Sequence, residues 1–452
     1  MNELLNNIWK FIKGDYSFLR IITSEQEAIG NTFGTVLNII NYVIMVGFGL
    51  LYAYQVVLTF IAVFWKPRKY HETEKYAHFA ILTCSRNEES VIEQFIETIT
   101  KQNYPKDKIT IIVLVDNCID KTAEIARQLG VNVIERNDTL NVGKSFALDY
   151  AYKQIHTQGL DNNIDGYVVF DTDNLLDKNF LKEINKAYQE TGYQVLTGFR
   201  NTSNIGGSFW TAGTAYWFFR ESFLLHKARA ILDITTFISG TGYFISKEII
   251  QEQSGWSYHK FTEDLEFSIN YVLKDKKIMF VYEAVFYDEQ PLSGKDSWNQ
   301  RQRWIKGLLQ CFKSYGGKLF KKTITPSQKT NHFESYEMLI FATPLPTIVI
   351  TWLVIFGLLS LGNVLFTNAN MIYFIQTFLA SILDYFWQFI FATIGLGYII
   401  SFFNWREMKC SIALKLLYPL VFWIYILSFL ILTFITPYKK ITWKPIKHYK
   451  QL

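Results

Sequence analysis

Residues 35–64 form an uninterrupted stretch that contains no Lys, Arg, Asp or Glu. A helix rises about 1.5 Å per residue, so this stretch is long enough to cross a hydrocarbon layer of about 30 Å. A cleaved signal peptide is a poor alternative, because the stretch lies far from the first residue and no small-residue cleavage site follows it. We therefore predict a membrane protein with a transmembrane helix over residues 35–65.

The flanking charges suggest an orientation for this helix. The next residues, 66–69, carry three basic side chains, and a basic flank usually stays in the cytoplasm. A reducing cytosol would keep Cys84, Cys118 and Cys311 as thiols. The net charge of +5 is modest, and basic flanks beside membrane segments explain it without a nucleic-acid partner. The length of 452 residues predicts at least two structural units.

After the first span, short apolar runs alternate with helical stretches. This alternation predicts a mostly parallel, doubly wound α/β sheet, in which ligands bind beyond the carboxyl ends of the strands. The predicted strands cover 79–82, 109–115, 131–134, 167–170 and 194–197, and the predicted helices lie near 88–101, 121–129, 143–154 and 178–190.

Polar residues follow three of these strands, at 85–89, 116–120 and 171–173. Asp171 and Asp173 end a buried apolar run, and carboxylates there suit Mg²⁺ or Mn²⁺, which take oxygen ligands and bridge to phosphate oxygens. Such a metal would stabilise a departing nucleoside diphosphate. The sequence does not match a dinucleotide site or a P-loop.

Single residues allow two interpretations each. Asp116 suits recognition of a base or ribose, or a turn. Lys144 suits nucleotide phosphates, or a solvated helix face. Asp264 suits removal of a proton from an attacking sugar hydroxyl, and Thr262 with the following acids equally suits a helix start; both can hold together.

Gln300, Arg303 and Trp304 fall at helical spacing and therefore share one face of a predicted amphipathic helix. An arginine and an amide suit a diphosphate, and an indole suits a sugar ring. The alternative is an interfacial helix with a Trp anchor and snorkelling arginines.

Further apolar stretches at 338–362, 372–403 and 412–436 predict about three more spans. Three spans would place the basic tail outside, against the positive-inside tendency, whereas an even number would place it inside. The stretch 372–403 is long and contains Asp384, which leaves room for a break or a re-entrant turn.

In their order along the chain, these motifs resemble those of membrane-embedded family 2 glycosyltransferases, the group that contains hyaluronan, cellulose and poly-N-acetylglucosamine synthases. The resemblance covers about residues 76–315. It rests on Asn87-Glu88, Asp116, Asp171 with Asp173, the run from Thr262 to Asp264, and Gln300 with Arg303 and Trp304.

The resemblance implies a GT-A fold, a doubly wound, Rossmann-like α/β domain in the cytosol with α-helical transmembrane segments. It also implies a UDP-sugar donor, Mg²⁺ or Mn²⁺, and inversion at the anomeric carbon. The implied roles are general base for Asp264; metal ligand for Asp173; nucleotide-sugar binding for Asn87, Glu88, Asp116, Lys144, Asp171, Gln300 and Arg303; and acceptor binding for Ser239, Gly240, Glu263 and Trp304.

We expect a multi-pass cell-membrane enzyme that moves a sugar from a UDP-sugar onto a growing polysaccharide, processively and with export. The alternatives are non-processive transfer to a lipid or lipid-linked acceptor, and a transporter with a cytosolic binding domain. Only one span precedes the catalytic region, so a channel for the polymer would have to be completed by an accessory membrane subunit or by a homo-oligomer. The expected divisions are 1–34 (interfacial), 35–65 (transmembrane), 66–297 (GT-A), 298–335 (interface helices), 336–437 (transmembrane) and 438–452 (basic tail).

Overall fold

The computed structural model describes residues 32–326, 331–367 and 371–441, and His448. Its strands are β1 (Phe79–Ser85), β2 (Ile109–Asp116), β3 (Asn132–Arg136), β4 (Gly166–Phe170), β5 (Leu175–Leu176), β6 (Val195–Thr202), β7 (Tyr243–Ser246) and β8 (Met279–Asp288). Its helices are α1 (Thr32–Phe64), α2 (Ile92–Thr100), α3 (Thr122–Gln128), α4 (Lys144–Thr157), α5 (Phe180–Thr191), α6 (Phe209–Phe219), α7 (Lys227–Ile231), α8 (Lys247–Glu252), α9 (Glu263–Leu273), α10 (Gly294–Ile324), α11 (His332–Ala342), α12 (Leu345–Thr367), α13 (Met371–Phe403) and α14 (Ile412–Ile435). A π-helical turn (Arg220–His226) joins α6 to α7.

The strands form one eight-stranded sheet in the order β3-β2-β1-β4-β7-β6-β8-β5. The first four of these strands are parallel, as the alternation of strands and helices predicts. The other half is mixed, because β7 runs antiparallel to both β4 and β6. The GT-A-like α/β prediction is thus confirmed, with a sheet that is mixed rather than mostly parallel.

Burial explains why the sequence predicts the parallel half of the sheet. All five residues of β4 are buried, and β1 is buried except for a partly exposed Cys84. Parallel strands covered by helices on both faces read as continuous apolar runs. The core on one face joins β-strand residues to α4 and to Trp256, whose ring stacks on Phe267 at 5.3 Å. This packing fixes the strand ends that carry the polar loops.

The chain divides into two compact units. The helical unit comprises residues 32–54 and 346–392 among those described, and within it Trp352 Nε1 donates to Asn41 Oδ1 at 3.0 Å. The sheet unit comprises residues 55–345 and the chain from Thr393 onward. All of the candidate site residues belong to the sheet unit.

Within the described residues, four helical segments are long and apolar enough to cross a membrane: Val36–Phe64, Thr347–Phe366, Phe378–Phe403 and Ile412–Tyr438. The predicted span at 338–362 has the wrong limits, because α11 ends at Ala342 and α12 begins at Leu345. Pro344 between them restricts its neighbour away from helical angles. The predicted interface region at 298–335 overlaps α10 and the start of α11, and its role as an interface stays a prediction. The predicted segment 1–34 lies outside the described residues up to residue 31, as does most of the tail 438–452.

Candidate active site

The loop after β4 carries Asp171 and Asp173, and the residue between them anchors it. Thr172 is buried, and its hydroxyl lies 3.0 Å from the Thr83 hydroxyl and 2.7 Å from that of Ser85. Both partners belong to β1, the neighbouring strand. The loop is therefore held by its middle residue, which leaves the two carboxylates for other contacts.

The two aspartates have different surroundings. Asp171 pairs with Lys144 at the start of α4, and its side chain is 40% exposed. The same ammonium donates to the carbonyl of Gly240 at 2.7 Å, so Lys144 ties the Asp-x-Asp loop to the loop before β7. Burial opposes this charge, but Asp171 and Glu263 outweigh it and raise the pKa of Lys144. The sequence predicts that Lys144 contacts the nucleotide phosphates. In the structure, its ammonium contacts Asp171.

Asp173 is only 8% exposed and faces two residues that the sequence did not single out. His448 Nδ1 lies 3.2 Å from Asp173 Oδ2 and 3.4 Å from Glu289 Oε2. Burial, followed by the charges of Asp288, Asp171 and Glu88, raises the pKa of Asp173 well above its ordinary value, against the effect of His448. A carboxylate that is crowded by other carboxylates in this way gains from a cation placed beside it, and His448 is the cation partner within the fold.

The same carboxylates stabilise the charged form of the His448 imidazole. Burial disfavours its charge, but Asp173, Glu289 and Glu88 together raise the pKa of His448 to about 10. Glu88 itself is raised to a pKa of about 7, by burial first. Because Glu88 precedes α2 and Glu289 follows β8, the carboxylates come from opposite ends of the domain sequence.

The ion pair of Arg200 and Asp288 lies next to the carboxylates around Asp173 and connects the surrounding loops. Arg200 on β6 pairs with Asp288 at the end of β8 and donates to the carbonyl of Ser239 at 2.9 Å. Asp288 also accepts from Asn174 Nδ2 at 2.7 Å and from Gln290 Nε2 at 2.5 Å. These bonds connect the Asp-x-Asp loop, the Ser239 loop and the end of β8.

Glu263 and Asp264 begin α9, so the interpretation as a helix start is confirmed, and the role of Asp264 as a base stays a prediction. The Leu265 N–H donates to Asp264 Oδ1 at 2.8 Å, whereas the Thr262 hydroxyl makes no capping bond. Burial is the main reason why the pKa values of Asp264 and Glu263 are both raised. The other Asp264 oxygen, Oδ2, lies beside Gly240, where a Cβ atom would be 3.4 Å away.

Helix α10 carries the residues Gln300, Arg303 and Trp304 that the sequence predicts for the site. Arg303 is close enough to Glu263 and Asp171 for both to favour its charge, although burial lowers its pKa. Trp304 meets Phe218 of α6 edge to face, with 5.7 Å between ring centroids. Gln300 Oε1 is buried and has no hydrogen-bond partner among the described residues. The face predicted from spacing thus exists, and its amide and guanidinium have capacity for a ligand.

The ends of β1 and β2 form the remaining edge. Asn87, in a left-handed conformation with φ of 58°, accepts from the Ile119 N–H at 2.9 Å and so joins the two strand-end loops. Asp116 is buried and pairs with Arg136 of β3 at 2.6 Å. The structure therefore gives Asp116 a partner within the sheet, and its contact with the nucleotide stays a prediction.

The site has two sides that suit glycosyl transfer. One side gathers carboxylates around Asp173, where a divalent cation and a diphosphate would fit the charge. The other side places Asp264 beside the small Gly240, where an acceptor hydroxyl would have access to a carboxylate base. Sequence reasoning missed Glu289 because β8 was not predicted, and no local signal marks His448.

The domain that carries this geometry is matched by the family described as Glycosyltransferase like family 2, over residues 77–307. The chain belongs to this glycosyltransferase family. The prediction of a family 2 glycosyltransferase, with hexosyl or N-acetylhexosaminyl transfer as the expected reaction, is confirmed as to family and enzyme class, and the transporter hypothesis is set aside. The finer resemblance to processive polysaccharide synthases is not confirmed.

Curated relatives of this family 2 enzyme differ in their named activities. The β-monoglucosyldiacylglycerol synthase of Synechocystis sp. is 25% identical over 248 residues, which are 54% of this chain and 50% of that protein. The probable glycosyltransferase YdaM of Bacillus subtilis is 26% identical over 276 residues, covering 56% of this chain and 61% of the relative. The chain thus spans about half to three fifths of the length of these relatives.

A solved structure supports the fold. The mannosyltransferase of Pyrobaculum calidifontis, determined in complex with GDP-Man and Mn²⁺, superposes with a TM-score of 0.54 at 12% identity. The superposition covers 88% of this chain and 99% of that one. Likeness at this identity confirms the GT-A-like architecture.

Proposed function

We propose that the protein is a non-processive, inverting glycosyltransferase that moves one sugar, glucose first among the candidates, from a UDP-sugar to a lipid acceptor such as diacylglycerol. This proposal replaces the expectation of a processive polysaccharide synthase with the alternative of non-processive transfer to a lipid acceptor. The relatives named β-monoglucosyldiacylglycerol synthases favour a lipid acceptor. The basic flank at 66–69 favours a catalytic domain that faces the cytoplasm.

The observation that carries this proposal is the apolar surface next to the acceptor side. Trp304 packs on α6, and α6 packs on α14 through Tyr425, whose hydroxyl lies 3.0 Å from that of Thr214, and through stacking of Phe429 on Trp217. The opposite face of α14 is exposed and apolar, with Leu416, Leu417, Leu420, Ile424 and Ile431. Such a helix suits contact with the acyl chains of a bilayer, in keeping with its length and apolar composition.

A lipid alcohol resting there would keep its acyl chains in the bilayer and present its hydroxyl to the site. Asp264 would accept the hydroxyl proton as the acceptor oxygen bonds to the anomeric carbon. The bond from that carbon to the diphosphate oxygen breaks on the opposite face, and its electrons leave with the nucleoside diphosphate. The raised pKa of Asp264 suits a base that works near neutral pH.

On the donor side, Asp173 and Glu289 offer carboxylate oxygens to a divalent cation. When bound, that cation would supply charge stabilisation for the departing diphosphate. Arg303 and Gln300 would hold the diphosphate from α10, and Lys144 would keep Asp171 oriented. Asp173 and Glu289 are buried, which makes their electrostatic effects stronger than they would be in water.

The test is product analysis with the full chain in nanodiscs that contain diacylglycerol. Purified protein, Mn²⁺ and labelled UDP-glucose should give a product that partitions into organic solvent and has the mass of a monoglucosyl lipid. Parallel reactions with other UDP-sugars and with GDP-mannose define the donor. Labelled polymer that stays in the aqueous phase would instead support the processive alternative and contradict this proposal.

A further inference from the structure

The π-helical turn between α6 and α7 carries two buried polar side chains that contact the acceptor side of the site. In an α-helix, residues five apart point about 140° away from each other, whereas the wider π turn brings Glu221 and His226 to the same side. Glu221 Oε1 lies 3.4 Å from His226 Nε2 and also accepts from the Ser239 hydroxyl. Glu221 is therefore connected directly to the loop before β7, which carries Gly240 beside Asp264.

The partners of His226 assign the position of its proton. Arg229 Nη1 lies 3.1 Å from His226 Nδ1, and a guanidinium can only donate, so Nδ1 must accept. The imidazole proton then lies on Nε2 and is donated to Glu221. Arg229 also makes two bonds to the buried Glu337, at 2.7 and 3.0 Å. In this chain of contacts each donor meets an acceptor, and Glu221 accepts from both of its neighbours.

Glu221 is ionised in this arrangement. Burial alone would raise its pKa, but the bonds from His226 and Ser239 and the charge of Arg200 on β6 lower it. Burial lowers the pKa of His226, so the imidazole is neutral near neutral pH. The Glu221 charge is therefore stabilised by hydrogen-bond donors and Arg200 rather than by a charged imidazole. It lies close enough to Asp264 that burial and this charge both raise the pKa of Asp264.

A second set of bonds anchors the turn on α1. Arg220 Nη2 donates to Gln55 Oε1 at 2.6 Å, and Lys227 Nζ donates to the carbonyl of Ala62 at 2.6 Å. Both acceptors belong to the C-terminal part of α1, and the two donors lie at the two ends of the turn. Helix α1 therefore holds the backbone from which Glu221 reaches the loop before β7.

The space around Glu221 is too small for a substrate. A cavity of about 10 Å³ lies among Glu221, His226 and Ser239, and that volume holds about one water molecule. Glu221 itself is buried. Neither a sugar nor a lipid headgroup can therefore reach the carboxylate, and any effect of Glu221 on the reaction must pass through Ser239 or through its charge.

We propose that Glu221 is a positioning residue that holds the Ser239 hydroxyl and so keeps the loop before β7 against Asp264. His226 orients the carboxylate for this contact. With its proton donated to Glu221, the Ser239 oxygen can only accept from a bound acceptor, which suits a hydroxyl group. The inference rests on the proposed function for the role of Asp264 as the base, but not for the contact between Glu221 and Ser239.

The experiment is a double-mutant cycle on the full chain in nanodiscs, with diacylglycerol, UDP-glucose and Mn²⁺. Glu221→Ala and Ser239→Ala break the same contact, so each should lower kcat/KM for the lipid roughly 10- to 100-fold. The double variant should lose no more than the more impaired single variant, because the second change removes no further contact. Losses that multiply would overturn the proposal, as would wild-type kcat/KM in Glu221→Ala with a wild-type thermal unfolding curve.

Glu221→Gln gives a second readout that keeps the hydrogen bonds. Its amide oxygen can still accept from both neighbours, but the negative charge is lost. The other titratable and charged groups around Asp264 are unchanged: Lys144 of α4, Arg200 of β6, Glu263 of α9, and the neutral Tyr243 of β7 and Cys311 of α10. The acidic limb of the kcat/KM profile should therefore move to lower pH in Glu221→Gln and stay in place in Ser239→Ala.

Glu190→Gln is the matched control, because Glu190 of α5 pairs with Arg68 and His71 outside the site. It should leave kcat/KM and the acidic limb unchanged. An acidic limb that does not move in Glu221→Gln, or that moves equally in the control, would overturn the proposal. Absence of lipid glycosylation by wild type would count against the proposed function alone, and the same cycle and pH profiles would then be measured on the product that wild type forms.

Discussion

Gly307 of α10 allows the helix to approach the segment that positions the proposed base. A Cβ atom at this position would lie 2.4 Å from Thr262 Oγ1 and 2.7 Å from the Thr262 backbone nitrogen. The hydroxyl could rotate away, but the backbone nitrogen could not. Gly307→Ala should therefore push the start of α9, including Asp264, away from α10.

The structure sets the size of this displacement. An ordinary contact needs at least 3.4 Å, so the backbone nitrogen of Thr262 must move by about 0.7 Å to accommodate the new methyl group. A misplacement of about 1 Å at a catalytic group can cost about 100-fold in rate, which corresponds to about 2.7 kcal/mol. We expect kcat to fall by roughly 10- to 100-fold in Gly307→Ala.

The control lies on the same helix. A Cβ atom at Gly317 would meet nothing within 4 Å, so Gly317→Ala adds the same methyl group without a clash. It should leave kcat unchanged and, because alanine is the better helix former, stabilise the fold by up to about 1 kcal/mol. Glycosyl transfer to diacylglycerol, UDP affinity and thermal unfolding should be measured for both variants.

The reasoning requires that the loss be catalytic. UDP affinity should fall less than kcat does in Gly307→Ala, since the donor-side carboxylates lie on other elements and only Gln300 and Arg303 share α10 with Gly307. Wild-type kcat in a folded Gly307→Ala variant would show that α9 can shift without misplacing Asp264, and would refute the positioning argument. Equal losses in the two variants would refute it as well.

Other substitutions test single residues of the site. Asp264→Asn keeps an acceptor for the Leu265 N–H but removes the base, so kcat should fall about 10²- to 10⁴-fold while UDP binding persists; measurable turnover near wild type would contradict the role. In wild type, kcat should fall as the pH drops through the pKa of Asp264, because the carboxylate must be ionised to accept a proton, and this acidic limb should lie well above the ordinary aspartate value of about 3.9. Asp173→Ala should abolish the Mn²⁺ dependence of UDP binding in calorimetry, and an unchanged dependence would exclude it as a metal ligand. Trp304→Ala should impair lipid transfer more than hydrolysis of the donor, and equal losses would make Trp304 a packing residue only.

Local chemistry explains what could be predicted from the sequence. Buried parallel strands such as β4 read as apolar runs, and the polar residues that follow them lie at the sheet edge where ligands bind. Asp171, Asp173 and Asp264 could be found because each stands at the junction of a regular element and a loop. The four-residue β7 could not be found, because so short a run is ambiguous between strand and helix.

Tertiary contacts explain what was missed. The arginines of α10 illustrate the limit of periodicity. The alternative of snorkelling arginines is wrong for Arg301, which is fully buried, with its guanidinium 4.5 Å from the centroid of the Tyr425 ring and 5.0 Å from that of Phe429. Arg303, two residues later, turns to the site. Spacing shows that the two arginines differ in direction, but only the position of α14 shows which of them is enclosed.

The Asp-x-Asp pair is better understood as two residues with separate tasks than as one clamp. Asp171 has a cation of its own in Lys144, and that ammonium also fixes the loop that carries Gly240 beside Asp264. Asp173 is enclosed with Glu289 and His448 instead. Because Asp171 already pairs with Lys144 within the fold, we expect a metal to bind preferentially to Asp173. Asp171 then links donor and acceptor sides mechanically, and a change at Asp171 should disturb the position of Asp264 as well as the nucleotide.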